Sequence, residues 1–525
     1  MHVSRPAKKQ RRRDKPVQQQ DVADGSSSGV QCATVDGPRS PAESDMWPDL
    51  ILESLERQGL LGNFVDAVTQ GIHFSSDYSG IGTAEEAARC LCLAAEAATQ
   101  RLCGKLPYLY VQRSGDKEAE CRTVLLASSR KGGLGAPKCV FGDIGERCNK
   151  DIWNKVAEEI DRIHNSEVTS FCYKHGGQCP VYPVSLQSDD QDSGPAASAC
   201  KEEAGCEGTS NQAGSPALKL HVAGFNCYDW SSMGSRRGWF GPSTLPFVQW
   251  LSERLQFEED IVVGENTLNF DVATLEEMTA HQFDLECLNV SPTLMGEPVE
   301  RRRLYICMLR KGKRRWRHEL LRQGLGETWQ EVFEAVFQRN IVMTAADKFR
   351  APALGVKNYI AKLAEQQHLP EKTRSGKDWS CFQAVSRAVR NKIQAHQEEL
   401  ERKLLSADLD SGLAATADDP LELRHWTSNV AQQPHFMGPV RGNVPAMLQH
   451  TNLWIFGKRR LALPMEHLEI QGWNIYGNFD NPYRSNIFEV ETECTAKWLV
   501  LSLLFYWLQQ KMLQHEREAA RLRAL

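Results

Sequence analysis

Two short motifs carry the residue types that chemistry needs. GFNCYDWS places Cys227 just after an apolar run that reads as a strand, and VVGENT places Glu265 and Asn266 after another. A thiolate adds to carbon and a carboxylate manages a proton, so the pair suits attack on a flat, electron-poor ring. Alone, such a cysteine is a buried, inert thiol and such a glutamate closes a turn. Their meaning comes from the order of the motifs around them.

DYSGIGT, upstream, sets Tyr78, Ser79, Gly80 and Gly82 at a strand-to-helix turn, where glycine lets backbone approach a nucleotide and the helix N-terminus adds partial positive charge. Asp116 follows a second strand and could accept hydrogen bonds from ribose hydroxyls. Asp143 follows a third, where it could hold an exocyclic adenine amine. Each acid has a bland alternative as a helix cap or turn. Three elements in this order favour an adenosine-containing cofactor.

Around these motifs strands alternate with helices. Strands are expected at Leu106–Val111, Cys139–Phe141, Leu218–Gly224, Asp260–Gly264 and Leu304–Met308, with an Ala- and Glu-rich helix at Ala84–Thr99. The alternation implies a parallel α/β sheet. Residues 1–45 read as a disordered tail carrying a basic cluster (Lys8, Lys9, Arg11, Arg12, Arg13, Lys15). That cluster is a nuclear import tag, a nucleic-acid arm or a solvated tail, and a nuclear location is the expectation. Residues 46–310 form the main domain, with an acidic, flexible insertion at about 185–216. Residues 311–450 form a second domain opening on the basic, Trp-containing KGKRRWR (Lys311–Arg317), and residues 451–525 return to the first. One helix is expected from an N-cap at Ser380 to Leu405, with Val385, Val389 and Ile393 on one face.

Bulk properties exclude little. A net charge of −5 announces no global nucleic-acid field, so any such surface is local. The 16 cysteines are scattered along the chain, with no secretory signal, and read as reduced thiols in a cytosolic or nuclear compartment. Trp498–Leu508, the longest apolar run, is too short to span a bilayer, so no membrane partner is expected. Cys172, His175 and Cys179 lie close in sequence, with Cys200 and Cys206 after them. A zinc site is one reading of this cluster, but the spacing matches no common finger, so free thiols near a loop is the preferred reading and no metal is expected.

In their order these motifs resemble the cytosine-C5 DNA methyltransferases, which use S-adenosylmethionine. The likeness covers most of residues 70–310 and about 455–510. Tyr78, Ser79, Gly80 and Gly82 stand in the family's first motif. Gly224, Phe225, Cys227 and a following serine, Ser231, match its catalytic loop, with Asn226 and Tyr228 where the family has proline and glutamine. Glu265-Asn266 matches its Glu-Asn, Arg301 and Arg303 in VERRRLYICML match its Arg-x-Arg, and RRLALPMEHLEIQGW (Pro464, Glu466, Gln471, Gly472) resembles a later motif. The final Gly-Asn motif has only SNIF (Ser485–Phe488) in its place.

The resemblance implies a Rossmann-like methyltransferase sheet with a smaller target-recognition domain. It implies Cys227 as nucleophile, Glu265 as the acid at the ring, Arg303 and Arg301 in support, and a pocket including Asn266 and Ser231. Tyr78 would stack near the adenine, Asp116 would bind the ribose and Asp143 the adenine amine. Duplex DNA with a flipped cytosine is the implied partner. Two alternatives stay open: a tRNA cytosine as substrate, and a non-catalytic nucleic-acid-binding protein of the same fold.

Overall fold

The computed structural model describes residues 35–147, 169–180, 217–232, 234–312, 325–369, 380–411, 423–446 and 451–470. Nine strands form the main sheet: β2 (Ile72–Asp77), β3 (Leu109–Gly115), β4 (Cys139–Phe141), β5 (Thr169–Cys172), β6 (Gly177–Pro180), β7 (Leu218–Gly224), β8 (Ile261–Asn266), β9 (Phe283–Val290) and β10 (Arg303–Arg310). Their order is β6-β5-β4-β3-β2-β7-β8-β10-β9. The centre, β4-β3-β2-β7-β8, is parallel, and both flanks are antiparallel. This is the expected α/β class.

Alternation along the strands loads both faces. Ile261 and Val263 of β8, with Tyr305, Cys307 and Leu309 of β10, pack toward the helices Trp47–Arg57, Leu61–Gln70 and Thr83–Cys103. Val262, with Leu304, Ile306 and Met308, packs toward Thr244–Gln256 and Val272–Thr279 on the other side. Strands buried on both faces form continuous apolar runs, which makes them legible in sequence. Boundaries differ where local chemistry intervenes. β3 starts at Leu109, not Leu106, because Pro107 has no N–H to give a ladder. β8 runs on through Glu265 and Asn266, so both lie in the strand rather than after it.

Pairing and packing also cross the expected segment borders. β1 (Val35–Asp36) pairs in parallel with β11 (Arg339–Asn340), inside the segment expected to be a disordered tail. The helix Trp329–Phe337 buries Trp329, Val332, Phe333, Val336 and Phe337 in the main core, which therefore draws on residues past 310. A second sheet, in the order β13-β12-β14-β15, contains β12 (Trp426–Asn429), β13 (Val440–Arg441), β14 (Leu453–Ile455) and β15 (Arg460–Leu461). Residues 453–455 and 460–461 thus pair within the second sheet; residues 471–525 lie outside the described residues.

The expected single helix after Ser380 is two. Ser380 caps Cys381–Ala384, Val385 turns extended (ψ 161°), and Arg387–Ser411 begins anew, with Ser386 Oγ accepting from Val389 N–H at 3.3 Å. A serine that can cap a new helix competes with continuing the old one. Val385 and Ile393 are buried against the second sheet and Val389 packs on that cluster, as their shared face implied.

Candidate active site

β2 lies between β3 and β7, and the chain departs from it to opposite sides, so the strand order reverses between β2 and β7. Ligands of open α/β sheets bind at such a switch point, outside the C-terminal strand ends. Two adjoining cavities of about 380 and 570 Å3 open there and share Asp77, Tyr78, Cys121 and Gly224. Both fall in the size range of small-molecule sites, roughly 300–1,000 Å3.

The turn after β2 is wound tightly. Tyr78 takes φ 54°, a left-handed conformation that costs an aromatic residue about 1–2 kcal/mol. Gly82 takes φ 98° at the start of the helix Thr83–Cys103, where a Cβ would also press on Leu125 at 3.1 Å. Asp116 reaches across from the end of β3. Its carboxylate accepts from Gly80 N–H at 2.8 Å and Glu118 N–H at 2.9 Å. Burial pushes the Asp116 carboxyl up, and these two N–H groups oppose the shift. Ser79 N–H donates to Gly115 O at 2.9 Å and Ser79 Oγ accepts from Gly115 N–H at 3.0 Å, which stitches the turn to β3. Asp143 lines the larger cavity with Asp116 and Tyr78, and its Oδ1 accepts from Gly145 N–H at 2.8 Å. The structure thus gathers Tyr78, Asp116 and Asp143 on one cavity, with Tyr78, Ser79 and Gly80 on its neighbour.

Beneath this floor lies a charge cluster that the sequence does not reveal. Asp77, fully buried, lies 2.9 Å from both Arg113 Nη1 and Arg147 Nη2, and Arg147 Nη1 lies 2.9 Å from Glu253 Oε2. Arg254 adds a 2.7 Å contact to Glu259. Burial alone would raise Asp77, but the Arg113 and Arg147 guanidiniums overcome it and hold the carboxyl well below the usual range. No local signal marks these residues, because they come from segments far apart in the chain.

The loop that carries Cys227 follows β7. Cys227 O accepts from Trp230 N–H at 3.0 Å and Ser231 N–H at 2.8 Å, forming a turn with Cys227 at its start. Asn226 Oδ1 accepts from Tyr228 N–H at 3.0 Å, so the asparagine side chain closes the loop where the resembling family uses proline. Asp229, fully buried, accepts from Ser243 N–H at 2.8 Å and from the Ser235 and Ser243 hydroxyls. Gly241 is required beside it, since a Cβ there would overlap the Asp229 carboxylate. Phe225 and Trp230 anchor the loop in an aromatic cluster; Phe225 lies 4.5 Å from Trp250 and Trp230 lies 4.9 Å from Phe270, centroid to centroid.

The strand register supplies the rest. Gly224 pairs with Glu265 across β7 and β8, and Tyr305 pairs with Glu265 across β8 and β10. β10 is antiparallel, so its first residue, Arg303, sits at the same edge as the end of β8. Arg303 Nε contacts Glu265 Oε1 at 2.8 Å. The Cys227 thiol is raised by burial and by the Glu265 charge, and is drawn back by Arg303 and Arg301. Asn266 is buried, and its Nδ2 has no hydrogen-bond partner among the described residues.

Other expected residues fall elsewhere. Glu466 makes a buried, bidentate pair with Arg460 of β15 at 2.6 and 2.7 Å, a structural role beside the second sheet. Cys172 and Cys179, read from sequence as free thiols near a loop, converge with His175 and Cys139. Gln471, Gly472, Ser485–Phe488, Cys200, Cys206, the basic N-terminal cluster, the acidic insertion and most of Lys311–Arg317 lie outside the described residues.

No protein family matches the chain by sequence profile, and no curated protein sequence matches it. Solved structures show a distant likeness. Dnmt2 methyltransferase of S. pombe is 10% identical over 53% of this chain, with a TM-score of 0.27; this chain spans 60% of that structure. A prophage-encoded protein of E. coli described as a DNA modification methyltransferase is 10% identical over 84% of this chain and 99% of its own, with a TM-score of 0.35. A mutant of Spodoptera frugiperda DNMT2 is 11% identical over 82% and 99%, with a TM-score of 0.30.

Proposed function

We propose that this chain is a cytosine-C5 methyltransferase acting on DNA with S-adenosylmethionine as methyl donor. One observation carries the reading: Arg303 meets Glu265 where β7, β8 and β10 share an edge, Cys227 follows β7 close enough for both charges to act on its thiol, and the crevice that Tyr78, Asp116 and Asp143 line opens at the same strand ends. The crevice fits the donor chemically. Asp116 and Asp143 would hold the ribose and the adenine amine, and Tyr78 offers a ring to the base. When bound, S-adenosylmethionine supplies an electrophilic methyl group.

The chain's own residues make cytosine reactive toward it. Cytosine C5 is a poor nucleophile, and adding Cys227 Sγ at C6 shifts the C5=C6 electron pair toward C5. Glu265 delivers a proton at N3 as negative charge develops, and Arg303 holds that carboxyl in place. Once C5 has taken the methyl group, leaving the donor as its neutral thioether, solvent base would remove the C5 proton. The C5=C6 bond would then re-form with expulsion of the Cys227 thiolate, and N3 would return its proton to Glu265. Arg301 supports the charge balance around Cys227. Asn266 and Ser231 are proposed as further residues of the base pocket. For duplex DNA the base must be flipped out of the stack. The basic N-terminal cluster is proposed as a nuclear import tag.

The test is methyl transfer from labelled S-adenosylmethionine to duplex DNA and to tRNA, with wild type and Cys227→Ala in parallel. Label at cytosine C5 of DNA with wild type alone supports the proposal. Label in tRNA instead moves the substrate to RNA. No transfer to either, with cofactor still bound, overturns the enzyme reading and favours a nucleic-acid-binding protein of this fold.

A further inference from the structure

Four potential metal ligands meet at the sheet edge farthest from Glu265. Cys139 opens β4, Cys172 closes β5, His175 sits in the turn, and Cys179 lies in β6. The pairings Phe141↔Cys172 and Ser170↔Cys179 draw these strands together. His175 Nδ1 lies 3.1 Å from Cys179 Sγ, 3.5 Å from Cys172 Sγ and 4.0 Å from Cys139 Sγ. All four ligand atoms lie within 4.8 Å of one another.

Tetrahedral zinc, with Zn–S about 2.3 Å and Zn–N about 2.0–2.1 Å, sets S···N separations near 3.5 Å and S···S separations near 3.8 Å. The three S···N distances bracket that value. We propose that Cys139, Cys172, His175 and Cys179 bind a structural zinc ion as a Cys3His site.

The ordinary alternative is a small core that happens to contain cysteines. Among the described residues its apolar members are Phe141 and the three cysteines, and His175 is exposed although its Nδ1 is directed at three sulfurs. An edge hairpin with so little apolar material gains most from a metal staple. Four protein ligands leave no open position, which makes the role structural and not catalytic.

The site has a consequence for the cofactor crevice. Tyr173, between Cys172 and His175, donates its N–H to Val140 O at 2.9 Å. Its ring lies against Gly142, where a Cβ would meet it at 2.9 Å, and the Arg122 guanidinium covers it at 4.4 Å. Gly142 and Asp143 line the larger cavity. Zinc would therefore fix one wall of that cavity from behind. The metal site itself stands whether or not the chain transfers methyl groups.

The test uses the full chain, purified without a polyhistidine tag or chelator, and measures zinc by plasma emission. Wild type and Cys103→Ser, a cysteine outside the cluster, are expected to hold one zinc per chain. Cys172→Ser and His175→Ala are expected to lose it by about tenfold or more. Cobalt reconstitution of wild type should give a thiolate-to-cobalt charge-transfer band, which decides the matter even if Cys172→Ser fails to fold. Zinc-free wild type without that band, or variants that keep full zinc content, would overturn the proposal.

Discussion

Arg303 Nε lies 2.8 Å from Glu265 Oε1, and the two residues come from strands whose antiparallel pairing puts the start of one beside the end of the other. The guanidinium holds one carboxylate oxygen, while Oε2 faces Gly224 at the end of β7. Cys227 lies within reach of both charges, and its thiol is raised by burial and Glu265 and lowered by Arg303 and Arg301.

Those opposing charges predict how Cys227 titrates. Glu265→Gln removes a negative neighbour, lowers the thiol pKa, and should speed alkylation of Cys227 by iodoacetamide at fixed pH. Arg303→Ala removes a positive neighbour and should slow it. In wild type the thiol is raised, so labelling should climb with pH beyond the ordinary cysteine value of about 8.5. Peptide mass spectrometry of Cys227 reads all three. Equal rates in both variants would sink the electrostatic account.

Asn226 closes the nucleophile loop through Tyr228 N–H. Asn226→Ala should lose a bond worth about 0.5–1.5 kcal/mol and slow methyl transfer while the far-UV spectrum and Tm stay near wild type. Asn226→Asp keeps the acceptor and should recover most of the rate. Full activity in the alanine variant would show that the loop does not need this turn.

Asp116 accepts from Gly80 and Glu118, two N–H groups at the cavity wall. Asp116→Ala should weaken S-adenosylmethionine binding by roughly 10- to 100-fold, the loss of one charged hydrogen-bonding group. Calorimetric titration measures it. Unchanged affinity would remove Asp116 from the cofactor site.

Asp77 is the anchor of the charge cluster under the site. Asp77→Ala would leave Arg113 and Arg147 buried without their shared partner, at a cost of about 3–5 kcal/mol in denaturant unfolding. The pH dependence follows from its direction. A carboxyl depressed in the folded state contributes its full stability above the unfolded value, about 3.9. That stability is lost as pH falls below this value toward the lower folded one. Wild type should therefore lose stability more steeply below about pH 4 than Asp77→Ala does.

How much of the fold and site is legible in the chain depends on the distance over which each feature is set. The turn Tyr78–Gly82 and the runs that become β7, β8 and β10 are local patterns, so Cys227, Glu265 and Arg303 stand out in the sequence. So does the α/β class. Asn226, by contrast, reads in sequence as a departure, and only its folded position reveals a side chain that closes the loop. The single helix expected after Ser380 follows its apolar periodicity correctly but not its break, because Ser386 caps a new helix.

Sequence by itself determined the central apolar strands and the turn residues that follow them, because apolar runs and turn residues act over a few positions. Tertiary structure decided which ends meet. The antiparallel return of β10 brings Arg303 to Glu265, and the edge pairing of β4 with β5 brings Cys139 to His175. The collapse of separate segments around Asp77 assembles Arg113, Arg147 and Arg254. Such contacts depend on strand order and register, which arise from packing the whole core and leave no period in the chain.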